Sequence, residues 1–450
     1  MFNKKTIKDI ELQNKIVLLR TDYNVPLKQL EDGRIVVAND FRIRSSLDTI
    51  NYLLAQNVKK IIIISHLGRP RSVEGLSDVS ELERAENGTR KYSLRPAFNR
   101  LTELMAEQYG DDVETFHNNF PMNFHSMPIF ARTRYTMPIN QANDNYKIEM
   151  LENLRFSIDE KKNSSELAEA LLQVSGADVF VQDGFGVVHR AHTSTDAITK
   201  FVPSVAGLLL EKEVMTIQQA FMDPKRPFVA VMGGAKVGDK LPLINRFIEQ
   251  ADKILVSGAL ANTVLDHKGY NMAKSRVESG QADIIDDIYR AAGQKTNNID
   301  NFIILPKDVG VADEFLSSSQ RHNKAVDSLN PSDIALDIGE VSITEAVSSL
   351  DSAQTIVWNG TVGYAEFDKF ALGSSRIAQK IAERTAQGAL SVVGGGDTSS
   401  FVLDWQKKSP EPSQFSLIST GGGAALELMS GAKLPGVEAL EDKIQTGFTN

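Results

Sequence analysis

Nine short apolar runs punctuate the chain, each closing on a turn residue: 16–22, 60–65, 178–183, 228–233, 253–258, 302–306, 354–359, 390–394 and 415–420. Continuous Val/Ile/Leu runs of this length suit strands buried on both faces. Between them lie stretches of 3.6-residue periodicity, such as 241–251 and 375–386, long enough to be crossover helices. This alternation predicts an α/β fold whose parallel sheets are covered by helices. Nine strands would make one very wide sheet, and 450 residues at about 150 per domain leave room for more than one core, so two doubly wound domains are the economical arrangement. The seam falls at 201–221, where Val202-Pro203-Ser204 precedes a predicted bridging helix beginning Leu208-Leu209-Leu210-Glu211.

Charge and composition narrow the function classes. Against 49 basic side chains stand 58 acidic ones, a net charge of −9, which disfavours a general affinity for nucleic-acid backbones or anionic membranes. Any anionic partner must be met by a local basic pocket. Cysteine is absent, so disulfides, thiolate catalysis and Cys-ligated metals drop out together. Residues 1–12 are polar, and no stretch approaches the 18 or so apolar residues of a membrane span. The expectation is a soluble, cytoplasmic protein.

In sheets of this kind ligands bind where strands end and helices begin, since helix N-termini present free N–H groups and partial positive charge. The second half is rich in glycine at these positions: Gly233-Gly234-Ala235-Lys236, Asn359-Gly360, Gly394-Gly395-Gly396-Asp397-Thr398 and Ser419-Thr420-Gly421-Gly422-Gly423. Any one of these is most simply a tight turn or a helix cap. Four at successive strand ends, one with Lys236 and Lys240 and another with Asp397, suggest a polyphosphate cradle. Neither a GxGxxG fingerprint nor a GxxxxGK[ST] loop is present, so a standard dinucleotide site and a P-loop are both unsupported.

The first half carries a different inventory: Asp22 and Asn24, then Ser65-His66-Leu67-Gly68-Arg69-Pro70, then His189-Arg190-Ala191-His192, with Arg42 and Arg155 nearby in sequence. An isolated arginine is usually a solvated charge, and an isolated histidine a hydrogen-bonded structural one. Gathered on strand-end loops they suit a small, highly anionic substrate, because guanidinium groups grip phosphate and carboxylate with paired hydrogen bonds. His189 and His192 lack HExxH spacing, and no Cys completes a zinc shell.

These residues resemble the phosphoglycerate kinase family, in family order through most of the chain. Leu18-Leu19-Arg20-Thr21-Asp22-Tyr23-Asn24-Val25-Pro26 resembles its opening strand and loop; 65–70 is its SHLGRP and 151–156 its LENLRF. Residues 183–192 are similar to DAFGxxHRAH, 233–240 to GGAKVxDK, 358–363 to WNGPxG and 394–398 to GGGDT, with STGGGAxLEL and LPGV following at 419–428 and 434–437. The resemblance implies two Rossmann-like domains joined by an interdomain helix and hinge: 1–200 for the phosphoglycerate, 201–221 as hinge, 222–435 for the nucleotide, with the tail 436–450 returning to the first domain.

It also implies reversible transfer of the acyl phosphate of 1,3-bisphosphoglycerate to ADP, giving 3-phosphoglycerate and ATP with Mg²⁺, by a monomeric enzyme. By motif, Asp22 and Asn24 would touch the glycerate, and His66, Arg69, Arg155 and Arg190 would hold its phosphate. Arg42 matches the family's catalytic arginine. Lys236 and Lys240 would contact the transferring and nucleotide phosphates, with Gly233, Gly234 and Asn359 around them. Gly395, Gly396 and Thr398 would cradle phosphate, Asp397 would hold Mg²⁺, Glu366 the ribose, and Gly258 would lie against adenine. Loose phosphoryl transfer needs positioning and positive charge more than a nucleophile, and a carboxylate acceptor needs no general base. Closure of the two domains would bring the substrates together and expel water.

The chain departs from the family pattern at several points. The stretches 72–90 and 117–148 exceed expectation and read as surface elaboration. Gln182 and Gly184 replace Asn and Ala, Thr361 replaces Pro, Ala365 replaces Phe, and Ser257-Gly258-Ala259-Leu260 stands where a glycine-rich turn is expected. None removes a charge assigned to phosphate. Two other readings are a non-catalytic nucleotide- or phosphoglycerate-binding protein on this scaffold, disfavoured by the retained charges, and a nicotinamide-dependent dehydrogenase, which lacks its fingerprint.

Overall fold

Each of the nine apolar runs contains a strand in the structure, a computed structural model that describes residues 2–70, 92–126, 145–234, 238–409 and 414–443. Six parallel strands form the first sheet, in the order Met122–His125, Ile148–Leu151, Lys60–Ile64, Ile16–Arg20, Val179–Gln182, Ser204–Ala206. Its central register sets Leu18 beside Ile62 on one side and Phe180 on the other.

Burial explains why these strands are apolar end to end. Val17, Leu19, Ile61, Ile63 and Val181 pack on one face with Ile50 and Leu53 of helix Leu47–Ala55 and Leu101 and Met105 of helix Arg95–Tyr109. Leu18, Ile62, Ile64 and Phe180 face the other way, onto Leu167, Leu171 and Val174 of helix Ser165–Ser175. Alternate residues of one strand thus fill two cores.

The second sheet repeats the plan, with six parallel strands ordered Ile303–Ile304, Lys253–Val256, Phe228–Met232, Thr355–Asn359, Leu390–Gly394, Leu417–Ile418. Val229, Val231, Ile356, Trp358 and Val393 meet Ile343 and Leu350 of helix Glu340–Leu350 and Ile377 and Ile381 of helix Leu372–Ala386. On the opposite face Phe228 sets its ring edge-on to Phe247 of helix Leu241–Gln250, whose buried residues Leu243, Ile244, Phe247 and Ile248 make one stripe.

By contacts the chain divides into two compact units, Met1–Val214 with Lys433–Asn450, and Met215–Ala432. The division falls inside helix Leu208–Met222, whose start is tied down by Asp183 Oδ1 accepting from Leu209 N at 3.0 Å and Leu210 N at 3.4 Å. Residues after 433 return to the first unit through Lys5 N to Glu441 O (2.8 Å), Glu441 N to Ser204 O (3.0 Å) and the Lys4–Asp442 ion pair.

Two features depart from the sequence reading. Surface elaboration does not describe the ends of 117–148: Met122–His125 is a parallel edge strand paired to Ile148–Leu151, with Met122 and Phe124 buried and the Phe98 ring 5.6 Å from that of Phe124. Residues 127–144, the stretch 72–90 and Lys236 lie outside the described residues. Second, a three-stranded antiparallel sheet, His322–Ala325, Asp308–Ala312, Ile334–Ile338, stands beside the parallel one. Its edge strand His-Asn-Lys-Ala is largely exposed and so carries no apolar run.

Candidate functional site

Two groups of polar side chains occupy carboxyl ends of parallel strands, one in each unit. In the first unit the chain turns after Arg20 and after Ile64, and the turns are laced together: Ser65 Oγ accepts from Tyr23 N at 2.8 Å and donates to Thr21 O at 2.8 Å. Asn24 Oδ1 accepts from Gly68 N at 2.8 Å. Arg42, in the short helix Phe41–Ser45, donates to Asn24 O at 2.8 Å and pairs with Asp22 Oδ2 at 3.2 Å. Arg155 follows strand Ile148–Leu151 and donates to Gly68 O at 2.8 Å. Asp22, Asn24, Arg42, His66 and Arg155 thereby form one group, with Arg69 exposed on the His66 loop and Arg190 exposed beside His189, to which its Nε donates at 3.0 Å.

Arg20 was not among the expected site residues, yet it lies behind this group, 1% exposed. It donates to Ser194 Oγ at 2.7 Å and to Thr21 O, sits 4.0 Å from Glu160, and places NH2 3.3 Å from His66 Nδ1. A guanidinium has no acceptor, so His66 Nδ1 must be the lone-pair partner and the ring proton resides on Nε2. An arginine closing a strand buried on both faces was the signal that could have found it.

Positive charge dominates this group. Burial first, then Arg20, Arg155 and Arg42, hold His66 well below its ordinary pKa. Burial, with Arg155, Arg20 and Arg190, brings His192 down to about 4, and burial with neighbouring Arg20 and Arg190 brings Arg155 down to about 10. Asp22 and Glu160 are the carboxylates acting on these arginines. Arg155 Nε is buried without a hydrogen-bond partner among the described residues. Two neutral imidazoles among four guanidinium groups make a place for a multiply charged anion.

In the second unit, Lys240 is the N-cap residue of helix Leu241–Gln250, and its ammonium turns back onto strand ends, donating to Gly233 O (2.6 Å), Asn359 Oδ1 (2.7 Å) and Asn359 O (3.1 Å). Burial lowers its pKa to about 8, opposed by the charge of Asp397. Thr398 Oγ1 accepts from Gly360 N at 2.7 Å, tying the 394–398 turn to the 359–361 turn.

The glycines here divide by what surrounds them. A Cβ on Gly360 would lie 2.3 Å from Gly233 O, and φ is +94°, so this residue is glycine because neighbouring turns pack backbone on backbone. Gly234 and Gly258 belong to the same packing: a Cβ on Gly258 would lie 3.1 Å from Gly234 N. Gly395 is the N-cap and Gly396 the first residue of helix Gly396–Lys408, and a Cβ on Gly396 would meet nothing within 4 Å. Gly396 is therefore bare toward open space, at a helix N-terminus suited to phosphate. Asp397 is exposed in the same turn, and Glu366 is exposed on the loop between strand Thr355–Asn359 and helix Leu372–Ala386.

The family model for phosphoglycerate kinase matches residues 7–432. A phosphoglycerate kinase from Pelotomaculum thermopropionicum is 38% identical over 443 residues, 98% of this chain and all of that one. Among solved structures, phosphoglycerate kinase from Coxiella burnetii superposes with a TM-score of 0.75 at 30% identity, covering 97% of this chain and 98% of that one. That from Pyrococcus horikoshii gives 0.72 at 26% identity, with the same coverage. Matched by the family model over 7–432 and by relatives along nearly its whole length, the chain belongs to the phosphoglycerate kinase family.

Proposed function

We propose that the protein transfers the acyl phosphate of 1,3-bisphosphoglycerate to ADP, giving 3-phosphoglycerate and ATP, and runs the reverse reaction. The observation that carries this reading is the strand-end group in which Arg42 pairs with Asp22, Arg155 donates to Gly68 O and Arg20 reaches His66 Nδ1. Phosphoglycerate binds there: Asp22 and Asn24 orient the glycerate, while His66, through Nε2–H, and Arg69, Arg155 and Arg190 take the phosphate. The nucleotide binds to the second unit, its ribose on Glu366 and its phosphates between Lys240 and the N-terminus of helix Gly396–Lys408; Lys236, which lies outside the described residues, is expected from the family motif alone to contact the phosphates.

In transfer, the bond from the acyl oxygen to phosphorus breaks as a β-phosphate oxygen of ADP forms the new one, and the carboxylate leaves without needing a proton. Negative charge spreads over three equatorial oxygens, which Arg42 and Lys240 neutralise. Because the substrates belong to different units, transfer requires the two substrates to be brought together with water kept from the acyl phosphate.

Mg²⁺ enters with the nucleotide. Among the described residues no three His, Asp or Glu side chains form a metal cage. A single exposed carboxylate, Asp397, fits an ion held mostly by phosphate oxygens and water, where it would offset phosphate charge. Among the described residues no helix is long and apolar enough to cross a membrane. A cytoplasmic monomer is the working state for the assays below.

The test is an assay of the purified protein with 3-phosphoglycerate and Mg-ATP, coupled to glyceraldehyde-3-phosphate dehydrogenase and followed by NADH oxidation. Turnover of about 1–100 s⁻¹ or faster is expected. Nucleotide binding without turnover would overturn the reading in favour of a binding protein.

The bare Cα of Gly396 supplies a sharper test. Alanine there meets nothing beyond its own chain neighbours and helix backbone within 4 Å, so Gly396→Ala should melt close to wild type. The methyl group would nonetheless stand where phosphate must approach, and the KM for ATP should rise about tenfold or more. Unchanged nucleotide KM would place the phosphates elsewhere.

A further inference from the structure

A buried carboxylate outside both groups secures the loop that carries Glu366. Asp337 lies on strand Ile334–Ile338, 4% exposed. Its Oδ2 accepts from Gly373 N at 2.9 Å and its Oδ1 from Ile338 N at 2.9 Å. Gly373 is the second residue of helix Leu372–Ala386, whose N-cap is Ala371, without a capping side chain. Asp337 therefore supplies, from a neighbouring strand, the acceptor that Ser or Asp at the N-cap would normally provide.

The other end of the loop meets the same strand. A Cβ on Gly363 would lie 2.5 Å from Asp337 Oδ1, and one on Gly373 would lie equally close. Tyr364 N donates to Leu336 O at 2.6 Å, and Val362 N to Ser374 Oγ at 3.0 Å. The segment 363–373 thus leaves and re-enters at one carboxylate, with Glu366 exposed between. Arg321, 3.8 Å from Asp337 Oδ2, donates to Ile338 O at 2.7 Å and steadies the strand end. Burial raises the Asp337 pKa to about 7, against the hydrogen bond from Gly373 and the charge of Arg321, with Glu340 adding to the rise.

We propose that Asp337 is a positioning residue for nucleotide binding, holding the Gly373 end of the 363–373 loop to the strand whose Leu336 O holds the Tyr364 end, so that Glu366 is presented to the ribose. The proposal rests on the reading of Glu366 as the ribose contact. Asparagine at 337 keeps the volume but offers only one acceptor, so its NH₂ must face either Gly373 N–H, freeing the helix end of the loop, or Ile338 N–H, displacing the strand end to which the loop is tied. A loop released at one end should hold Glu366 less well.

The experiment compares Asp337→Asn, Glu366→Gln and the double variant in the coupled assay, with thermal melts. Glu366→Gln should raise the KM for ATP, Asp337→Asn should raise it about tenfold while the KM for 3-phosphoglycerate stays within about twofold, and the double variant should be no worse than the worse single one. An unchanged ATP KM in Asp337→Asn beside a raised one in Glu366→Gln overturns the proposal. So does a parallel rise in both substrates' KM. An unchanged ATP KM in Glu366→Gln instead refutes the ribose reading. Should Asp337→Asn not fold, Arg321→Gln loosens the same strand end, and its ATP KM should rise about threefold with that for 3-phosphoglycerate unmoved; no rise overturns the proposal.

Discussion

Replacing Arg42 by alanine should lower kcat by about 10²- to 10³-fold, the cost of removing one preorganised positive group from a transferring phosphoryl, about 3–4 kcal/mol. The Arg42 side chain is 28% exposed, but its partner Asp22 is only 5% exposed and loses an ion-pair partner, so a stability loss of about 1–3 kcal/mol is expected beside the fall in rate. Arg42→Lys should recover part of the rate, since the charge returns without the planar fork. Steady-state kinetics beside a thermal melt decides the matter. A variant keeping more than about a tenth of the wild-type rate would remove Arg42 from catalysis.

Arg42 illustrates which parts of this molecule were legible in the sequence. A strand buried on both faces must be apolar along its whole length, which is why all nine runs contain strands. Strands escape notice when a partner substitutes for apolarity. Ile148–Leu151 buries Glu149, tolerated because Lys60 from the next strand meets its Oε1 at 2.5 Å. Met122–His125 alternates buried and half-buried residues at a sheet edge, too short to stand out among its polar neighbours.

The site divides in the same way. Strand-end loops drew attention to Asp22, Asn24 and His66, whereas Arg42, in helix Phe41–Ser45, and Arg155 were singled out by the family motifs they match. Arg20 hid inside an apolar run, and Asp337 in a strand whose partners are unrelated in sequence to the glycines it meets at 363 and 373. Nor could spacing separate glycines that make room for other backbone, such as Gly360, from Gly396, which faces nothing. That distinction needs the neighbours' coordinates.

Lys240 should give the second large effect, and its pH dependence tells what kind of effect it is. Methionine at 240 retains most of the stem but abandons three carbonyl oxygens, on Gly233 and Asn359, so a stability loss of about 1–3 kcal/mol is expected along with a fall in kcat of about 10²- to 10³-fold. The two can be separated by assaying well below the variant's melting temperature. In the wild type the charged ammonium is the working form, and burial has lowered its pKa to about 8. kcat/KM, which reports the free enzyme, should therefore fall as pH rises through about 8. Bound phosphates restore the ammonium's preference for its proton, so the basic limb of kcat should lie higher still. If kcat/KM stays flat to about pH 9.5, the ammonium keeps its proton throughout and the lowered pKa is refuted; if Lys240→Met stays folded and keeps more than about a tenth of the rate, the transferring charge is met by another group.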